Sequence, residues 1–155
     1  MREIYAHEHP PKVGGPSIFL AGPSPRGQQD YNWRPTALRC LTDLKFKGTV
    51  YIPLPRDSNW LSDYDAQVTW ELRYLEEARA AVFWVPRSEN LPGFTTNVEF
   101  GLFLKSKKIV LGYPRDAKKM RYLDSVARMN GVEVFQDLEA TLEAGIKLAL
   151  KSPLV

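Results

Sequence analysis

The chain has 155 residues, of which 44% are hydrophobic and 25% charged, proportions that are typical of one globular domain. A formal net charge of +3 suits an anionic ligand, but the sequence has no basic stripe that would indicate a polymeric nucleic acid as partner. The single cysteine, Cys40, excludes an internal disulfide, and because no signal peptide or 18-residue apolar run is present we expect a cytoplasmic protein away from the membrane.

Residues 1–16 contain two adjacent prolines and two adjacent glycines, which predict an irregular N-terminal arm. The arm carries His7 and His9, but no Cys or carboxylate–histidine pattern accompanies them, so we expect no metal site. The first strand is predicted at residues 17–22. The loop Gly22–Gly27 follows it, and its Gly, Ser and Arg residues are typical of a phosphate- or sugar-binding turn and equally of an ordinary Pro/Gly turn.

The remaining predicted elements alternate between helix and strand along the chain, as shown by their hydrophobic periodicity and their turn residues. In order they are a helix at 33–45, a strand at 49–54, a helix at 64–79, a strand at 81–85, a helix at 98–104, a strand at 108–113, a helix at 117–129, a strand at 132–135 and a final helix capped by Asp137. Residues 151–155 are predicted to form a loose tail.

The helix predicted at Val98–Leu104 contains one charged residue, Glu99, in its first turn. Thr95, Thr96 and Asn97 precede it as candidate N-caps. A helix that is apolar nearly all round is expected to be buried, where a carboxylate is costly unless it is paired, hydrogen-bonded or facing a cleft. Glu99 is therefore either a capping carboxylate at the positive end of the helix dipole or a catalytic carboxylate in a pocket.

Five strands alternating with five helices predict an α/β fold of the flavodoxin or Rossmann-like kind, in which a doubly wound parallel sheet has helices on both faces. We predict a single domain over residues 17–150 with the strand order 2-1-3-4-5, numbered along the predicted strands. Ligands bind where such an order reverses, so the loops Gly22–Gly27 and Arg87–Asn97 are expected to face one crevice. This placement favours the catalytic interpretation of Glu99.

A carboxylate in such a crevice can attack the anomeric carbon of a sugar, because the transition state there is positively charged. Arg26 is a candidate to hold a 5′-phosphate or a base carbonyl. Trp33, Trp84 or Phe94 can stack on a base, or can serve simply as core or rim aromatics. We expect no cofactor for this chemistry.

Four sequence segments together resemble the nucleoside 2-deoxyribosyltransferase-like family over roughly Ser17–Leu142. They are Ile18–Pro23, Trp33-Arg34, Trp70-Glu71 and Phe94–Gly101. In that family the glutamate of the Asn-x-Glu-x-Gly segment is the nucleophile that moves a deoxyribosyl group from one base to another base or to water, which implies this role for Glu99. The first-strand loop lines the sugar pocket in the family.

The resemblance implies that Gly22, and with it Ser24 and Arg26, lines the sugar pocket. Together with the candidate aromatics and with residues of the quoted segments, these form the predicted substrate-binding set: Gly22, Ser24, Arg26, Trp33, Arg34, Trp84, Phe94 and Thr96. Relatives often complete the site from a neighbouring subunit, so a homo-oligomer acting on a small nucleoside or nucleotide is expected.

The chain departs from the family at one position of the site. The better-studied transferases have an Asp at the start of the third strand, where this chain has Ala80-Ala81, and Asn97 precedes the nucleophile in place of an acid. Glu71 and Asp65 are the candidates for the general acid, although Glu71 can also be a surface acid paired with an Arg. We therefore predict an enzyme that cleaves an N-glycosidic bond through Glu99, assisted by Glu71 and Asn97. The alternative is a nucleotide-binding or signalling module in which Glu99 only binds a ribose.

Overall fold

The computed structural model describes residues 1–11, 14–27, 29–60 and 62–151, which contain six strands and five helices; strands and helices alternate from the second strand onward. The strands are β1 (Arg2–Tyr5), β2 (Ser17–Ala21), β3 (Thr49–Ile52), β4 (Ala80–Trp84), β5 (Ile109–Gly112) and β6 (Val134–Phe135). The helices are α1 (Arg34–Asp43), α2 (Tyr64–Glu77), α3 (Phe94–Phe103), α4 (Arg121–Met129) and α5 (Leu138–Lys151). Within these described ranges, no helix combines the length and the apolar character that a bilayer crossing requires. Of the loose tail predicted at 151–155, Lys151 instead belongs to α5, and residues 152–155 lie outside the described residues.

All strands of the sheet run parallel, in the order β1-β3-β2-β4-β5-β6. The predicted order is confirmed for the five strands from β2 to β6. The sixth strand, β1, pairs with β3 from Arg2 opposite Thr49 to Tyr5 opposite Ile52, so the prediction of an irregular arm is wrong for these residues. Such an edge strand leaves a weak sequence signal, because only one of its four side chains is fully buried.

Two helical layers cover the sheet, and the alternation of side chains along each strand supplies both cores. In β4, Ala81 and Phe83 point into the core beneath α2, α3 and α4, whereas Val82 and Trp84 point into the core beneath α1 and α5. Because both faces of the central strands are buried, their sequences are continuous apolar runs.

Helix α3 differs from its prediction at both its start and its surface. It begins at Phe94 after Gly93, whose φ of +65° ends the preceding loop, so Thr95 to Asn97 lie inside the helix and no side chain caps it. Glu99 is consequently in the second turn, which does not fit a capping role. The expected burial all round is also wrong, because Phe94, Val98 and Leu102 are 69%, 63% and 64% exposed.

The loops after β2 and β4 pack directly on each other at the carboxyl edge of the sheet. A Cβ atom at Gly22, whose φ is +145°, would lie 2.1 Å from the carbonyl oxygen of Trp84. A Cβ atom at Gly93 would lie 2.9 Å from Cγ of Pro23. Glycine at both positions therefore allows the two loops to meet where the strand order reverses.

Candidate active site

A cavity of about 390 Å³ opens at the carboxyl ends of β2 and β4, beside α2 and the start of α3. Its walls come from three parts of the chain: the loop after β2, the loop before α3, and α2 with the loop that precedes it. The lining residues are Pro23, Ser24, Pro25, Arg26, Trp60, Tyr64, Gln67, Val68, Glu71, Leu91, Pro92, Gly93, Phe94 and Thr95. The two loops predicted to share a crevice thus contribute to one cavity.

Two neighbouring carboxyl groups lie at this cavity. Glu71 of α2 lines it, whereas Glu99 of α3 is not among the lining residues and lies next to Glu71, close enough for each carboxyl group to affect the ionisation of the other. Nε2 of Gln67, one turn earlier in α2, donates to Oε1 of Glu71 at 2.6 Å. Two adjacent carboxyl groups disfavour each other's ionisation, so their ionisation is coupled and the pair gives up its last proton less readily than a lone carboxyl group does.

The surroundings of the pair explain why it retains that proton. Burial, followed by the charge of Glu71, raises the pKa of Glu99 to about 8. Burial also raises the pKa of Glu71, against the opposing effect of its hydrogen bonds and of Arg34. Near neutral pH Glu99 therefore keeps its proton, and the pair as a whole is not fully ionised.

Arg34 lies beneath the loop after β2 and is only 1% exposed. Its guanidinium donates to three carbonyl oxygens, those of Leu20 at 3.2 Å, Gly22 at 2.8 Å and Pro23 at 3.2 Å. Nε1 of Trp33 donates to the same Pro23 oxygen at 3.2 Å. Burial lowers the pKa of Arg34 to about 10, which leaves it cationic at neutral pH. Arg34 therefore fixes the loop and places a permanent positive charge near the carboxyl pair.

The structure brings only some of the predicted substrate-binding residues to the cavity. Ser24, Arg26 and Phe94 line it, and Phe94 stands at its exposed rim. Trp33, Arg34 and Thr96 are buried and do not line it, so they support the site from behind. The backbone of Gly22 contacts Arg34 and the end of β4, and Gly22 is likewise outside the lining.

Three further candidates lie away from the carboxyl pair. Trp84 lines a second cavity of about 390 Å³ on the other side of Leu91. Asn97 is exposed on α3, and its Oδ1 accepts a hydrogen bond from Arg87. Asp65 is exposed in the first turn of α2 and is not among the residues that line the first cavity. Of the two candidate general acids, Glu71 alone is next to Glu99.

Sequence reasoning did not assign a role to Gln67, Tyr64 or Trp60, which all line the cavity. For Gln67 a signal existed, because it precedes Glu71 by four residues and hence shares its helix face. For Trp60 and Tyr64 no signal existed, since one lies in an irregular loop and the other at the exposed start of α2.

The chain also matches the model of a known protein family. A family model described as nucleoside 2-deoxyribosyltransferase like matches residues 15–117, which is more than half of the chain and includes both loops, Glu71 and Glu99. A search of curated proteins found no match.

Proposed function

Because the chain belongs to the nucleoside 2-deoxyribosyltransferase-like family, we propose that it cleaves the N-glycosidic bond of a nucleoside or nucleotide and transfers the sugar to water or to another base. Glu99 is the nucleophile and Glu71 carries the proton. The observation that supports this assignment is the pair of adjacent carboxyl groups beside the cavity at the reversal of strand order.

Before the first step the proton passes from Glu99 to Glu71, which leaves Glu99 ionised. A carboxylate oxygen of Glu99 bonds to C1′ of the sugar while the bond from C1′ to the base nitrogen breaks. Glu71, which faces the cavity, gives its proton to the departing base and becomes a carboxylate. The negative charge of the pair stabilises the positive charge that develops on the sugar ring.

In the second step water or another base attacks C1′ of the glycosyl ester. The carboxylate of Glu71 accepts the proton of the attacking molecule, and the electron pair of the breaking ester bond returns to Glu99. The carboxyl pair then holds one proton again, as it did before the reaction. Two displacements at C1′ give net retention of the anomeric configuration.

Arg26 and Phe94 are the side chains that we assign to substrate binding at the mouth of the cavity. Arg26 is exposed at the boundary between this cavity and an adjoining one of about 590 Å³, so its guanidinium can reach a 5′-phosphate. Phe94 offers an exposed ring at the rim on which a base can stack. Ser24 also lines the cavity and offers its hydroxyl as a hydrogen-bonding group.

The deciding experiment is a base-release assay on nucleosides and their 5′-monophosphates, in ribose and deoxyribose forms, followed by chromatography. We expect the wild type to release a base from at least one compound and, in the presence of methanol, to form the methyl glycoside with retained configuration. An inverted product would show that Glu99 activates water and forms no covalent intermediate. Tight binding without release across the panel would favour a nucleotide-binding module.

We also assign a homo-oligomer to the protein, with the exposed stripe of α3 covered by a second copy. The stripe consists of Phe94, Val98 and Leu102, and α2 exposes Tyr64 and Leu72 at the same eight-residue separation. Phe94 and Tyr64 also line the cavity, so a second copy seated there would help to close it. Light scattering on Leu102→Lys, with Tyr122→Lys on the exposed face of α4 as control, tests this: only the first variant is expected to dissociate the oligomer.

A further inference from the structure

A second cavity of about 390 Å³ lies at the carboxyl ends of β4 and β5, on the other side of Leu91 from the cavity that Glu71 lines, which is the catalytic cavity. The two cavities have the same volume, and Leu91 is the residue that lines both. Because Leu91 is only 4% exposed, it forms a wall between them. A ligand in the second cavity would therefore occupy a site separate from that of the substrate.

The walls of the second cavity are mainly apolar. Trp84, at the end of β4, is 6% exposed, whereas the ring of Tyr31 is 56% exposed. Proline and aliphatic side chains complete these walls: Pro86, Leu91, Pro114 and Ala117. Walls of this kind accommodate a planar ring, and Tyr31 offers a surface on which such a ring can stack.

The indole of Trp84 brings a free hydrogen-bond donor to this apolar lining. Trp33 and Trp70, which are buried to a similar extent, both donate through Nε1 to backbone carbonyl oxygens. Nε1 of Trp84 forms no hydrogen bond with any residue that the structure describes. A Cβ atom at Gly112 would lie 2.8 Å from Cε3 of Trp84, so the opposite edge of the indole, which carries Nε1, points away from Gly112. A buried indole N–H usually has a partner, and an acceptor atom of a ligand in the cavity would supply one.

Arg87 supplies further donors and a positive charge. One Nη atom donates to the carbonyl oxygen of Lys119 at 3.2 Å and the other donates to Oδ1 of Asn97, so the guanidinium is held in place by two of its five N–H groups. Its Nε atom is buried and has no hydrogen-bond partner among the described residues. Burial lowers the pKa of Arg87, but a guanidinium in a protein stays protonated.

Lys118 places a second cation beside Arg87, because its amide donates to the carbonyl oxygen of Arg87 at 3.0 Å. The acid in the lining is Asp116, which is exposed. The ion pairs among the described residues all lie elsewhere in the fold, so the charges of Arg87 and Lys118 have no carboxylate partner there. Two such cations and an indole N–H at one cavity suit a phosphate group, which accepts several hydrogen bonds at once.

We propose that the second cavity binds a nucleoside monophosphate at a site separate from the catalytic cavity. The phosphate accepts hydrogen bonds from Nε1 of Trp84, from the guanidinium of Arg87 and from the ammonium group of Lys118. The base lies between the apolar walls and stacks on Tyr31. Both parts of the ligand are needed, because the walls alone would take an uncharged nucleoside and the cations alone would take inorganic phosphate. No bond is broken at this site, so binding there does not depend on the reaction proposed above.

The test is an NMR titration of ¹⁵N-labelled Glu99→Gln, a variant in which the proposed reaction does not consume the ligand. Trp60 lines the catalytic cavity and Trp84 lines the second cavity, so their indole N–H signals report on the two sites separately. The additional change Trp84→Phe identifies the Trp84 signal. Among the 5′-monophosphates of adenosine, guanosine, cytidine and uridine, at least one should shift the Trp84 signal saturably. Its dissociation constant is expected to be about tenfold lower than that of its nucleoside or of inorganic phosphate.

Two neighbouring lysines provide matched variants for this titration. Lys118→Glu reverses a charge in the lining of the second cavity, whereas Lys119→Glu makes the same change in net charge at a residue outside that lining. Both side chains are exposed, so both variants are expected to fold. Lys118→Glu should raise the dissociation constant measured at Trp84 about tenfold, and Lys119→Glu should leave it within about twofold of the parent value.

Three results would overturn the proposal. A shift of the Trp60 signal without a saturable shift of the Trp84 signal would mean that the nucleotide occupies the catalytic cavity alone. An affinity for the nucleoside or for inorganic phosphate equal to that for the nucleotide would mean that the phosphate or the ring is not recognised. An equal loss of affinity in both lysine variants would mean a general attraction to a basic surface. Because none of these readouts requires base release, the second site stands or fails independently of the proposed reaction.

Discussion

Helices α3 and α5 both have apolar sequences and both cover the sheet, from opposite sides, yet they are buried to different extents. Helix α5 packs on β2, β4, β5 and β6, and a Cβ atom on its Gly145 would lie 2.3 Å from Cγ2 of Val82. Helix α3 exposes three large apolar side chains, and a Cβ atom on its Gly101 would meet nothing within 4 Å. The sequence of α5 is thus explained by the core of one chain, whereas that of α3 is not.

The difference indicates that α3 is shaped by two requirements besides packing. Its inner side carries Glu99, an acid that burial keeps protonated and that contributes nothing to the apolar core. Its outer side carries Phe94, Val98 and Leu102, which water surrounds in a single copy of the chain. The proposed catalytic group on one side and the proposed subunit contact on the other would account for both observations.

The largest effect is expected when Glu99 is changed. Glu99→Gln keeps the size and hydrogen-bonding capacity of the side chain but removes the nucleophile, so turnover should fall by about two to three orders of magnitude. The matched control is Glu143→Gln on α5, which changes an exposed acid of the other helix. The measurement is the initial rate of base release from the best substrate. Near-normal activity in Glu99→Gln would rule out Glu99 as the nucleophile and, with it, the functional contrast between the two helices.

The next effect concerns stability as a function of pH. Because the pKa of Glu99 is raised, the folded protein keeps a proton that the unfolded chain has already lost between about pH 4.5 and 8. The unfolded state binds fewer protons in that window, so the free energy of unfolding falls as pH rises through it. Glu99→Gln has no side chain to ionise at this position, so its free energy of unfolding does not fall in this way. At pH 9 the variant should be more stable than the wild type by on the order of 2 kcal/mol.

Urea unfolding at pH 5 and at pH 9 measures this difference in stability. The free energy of unfolding of Glu99→Gln should exceed that of the wild type by an amount that grows with pH. Glu143→Gln, whose side chain is exposed, is expected to follow the wild type at both values. A gap that is the same at pH 5 and pH 9 would mean that Glu99 is ionised in the folded protein throughout, in conflict with a shared proton.

The same contrast shows which features the sequence could predict. Apolar runs such as Ala80–Trp84 predict strands buried on both faces, and their alternation with helices predicts the order of five strands. Glu99 stands out because a lone acid in an apolar helix needs an explanation. The pairing of Glu99 with Glu71 could not be predicted in this way. It depends on how α2 and α3 pack against each other, and the hydrophobic periodicity of each helix does not encode the distance between two helices.

The position of the segment after β1 is even less accessible to sequence reasoning. It depends on hydrogen bonds that join Glu8 to Trp70 and His9 to Tyr74, which lie more than sixty residues away in the chain. The exposure of α3 was missed for a related reason. Apolar periodicity predicts that a face will be covered, but it does not say whether the same chain or another copy covers it.

A smaller effect is expected in the buried helix of the comparison. In Gly145→Ala the new methyl group must displace Val82 in the middle of β4, where both faces of the strand are packed. Overpacking of this kind destabilises a domain by about 1–3 kcal/mol, which exceeds the gain in helix propensity. Thermal unfolding measures the change. An unaltered or raised melting temperature would show that α5 lies less tightly on the sheet than the distance to Val82 indicates.

The smallest effect is expected for the equivalent change in α3. Gly101 is exposed in the interior of the helix and has open space where a Cβ atom would be, so Gly101→Ala should stabilise a single copy of the chain by about 0.5–1 kcal/mol through helix propensity. The sign of this change also reports on the outer face, because Gly101 neighbours Leu102 and follows Val98 by three residues. If a second copy packs closely there, the methyl group weakens the contact.

Unfolding of Gly101→Ala measured at low and at high protein concentration separates the two contributions. A stabilisation that is present at low concentration and diminishes or reverses at high concentration would place α3 in a subunit contact. The same stabilisation at both concentrations would mean that the apolar stripe of α3 stays exposed to water.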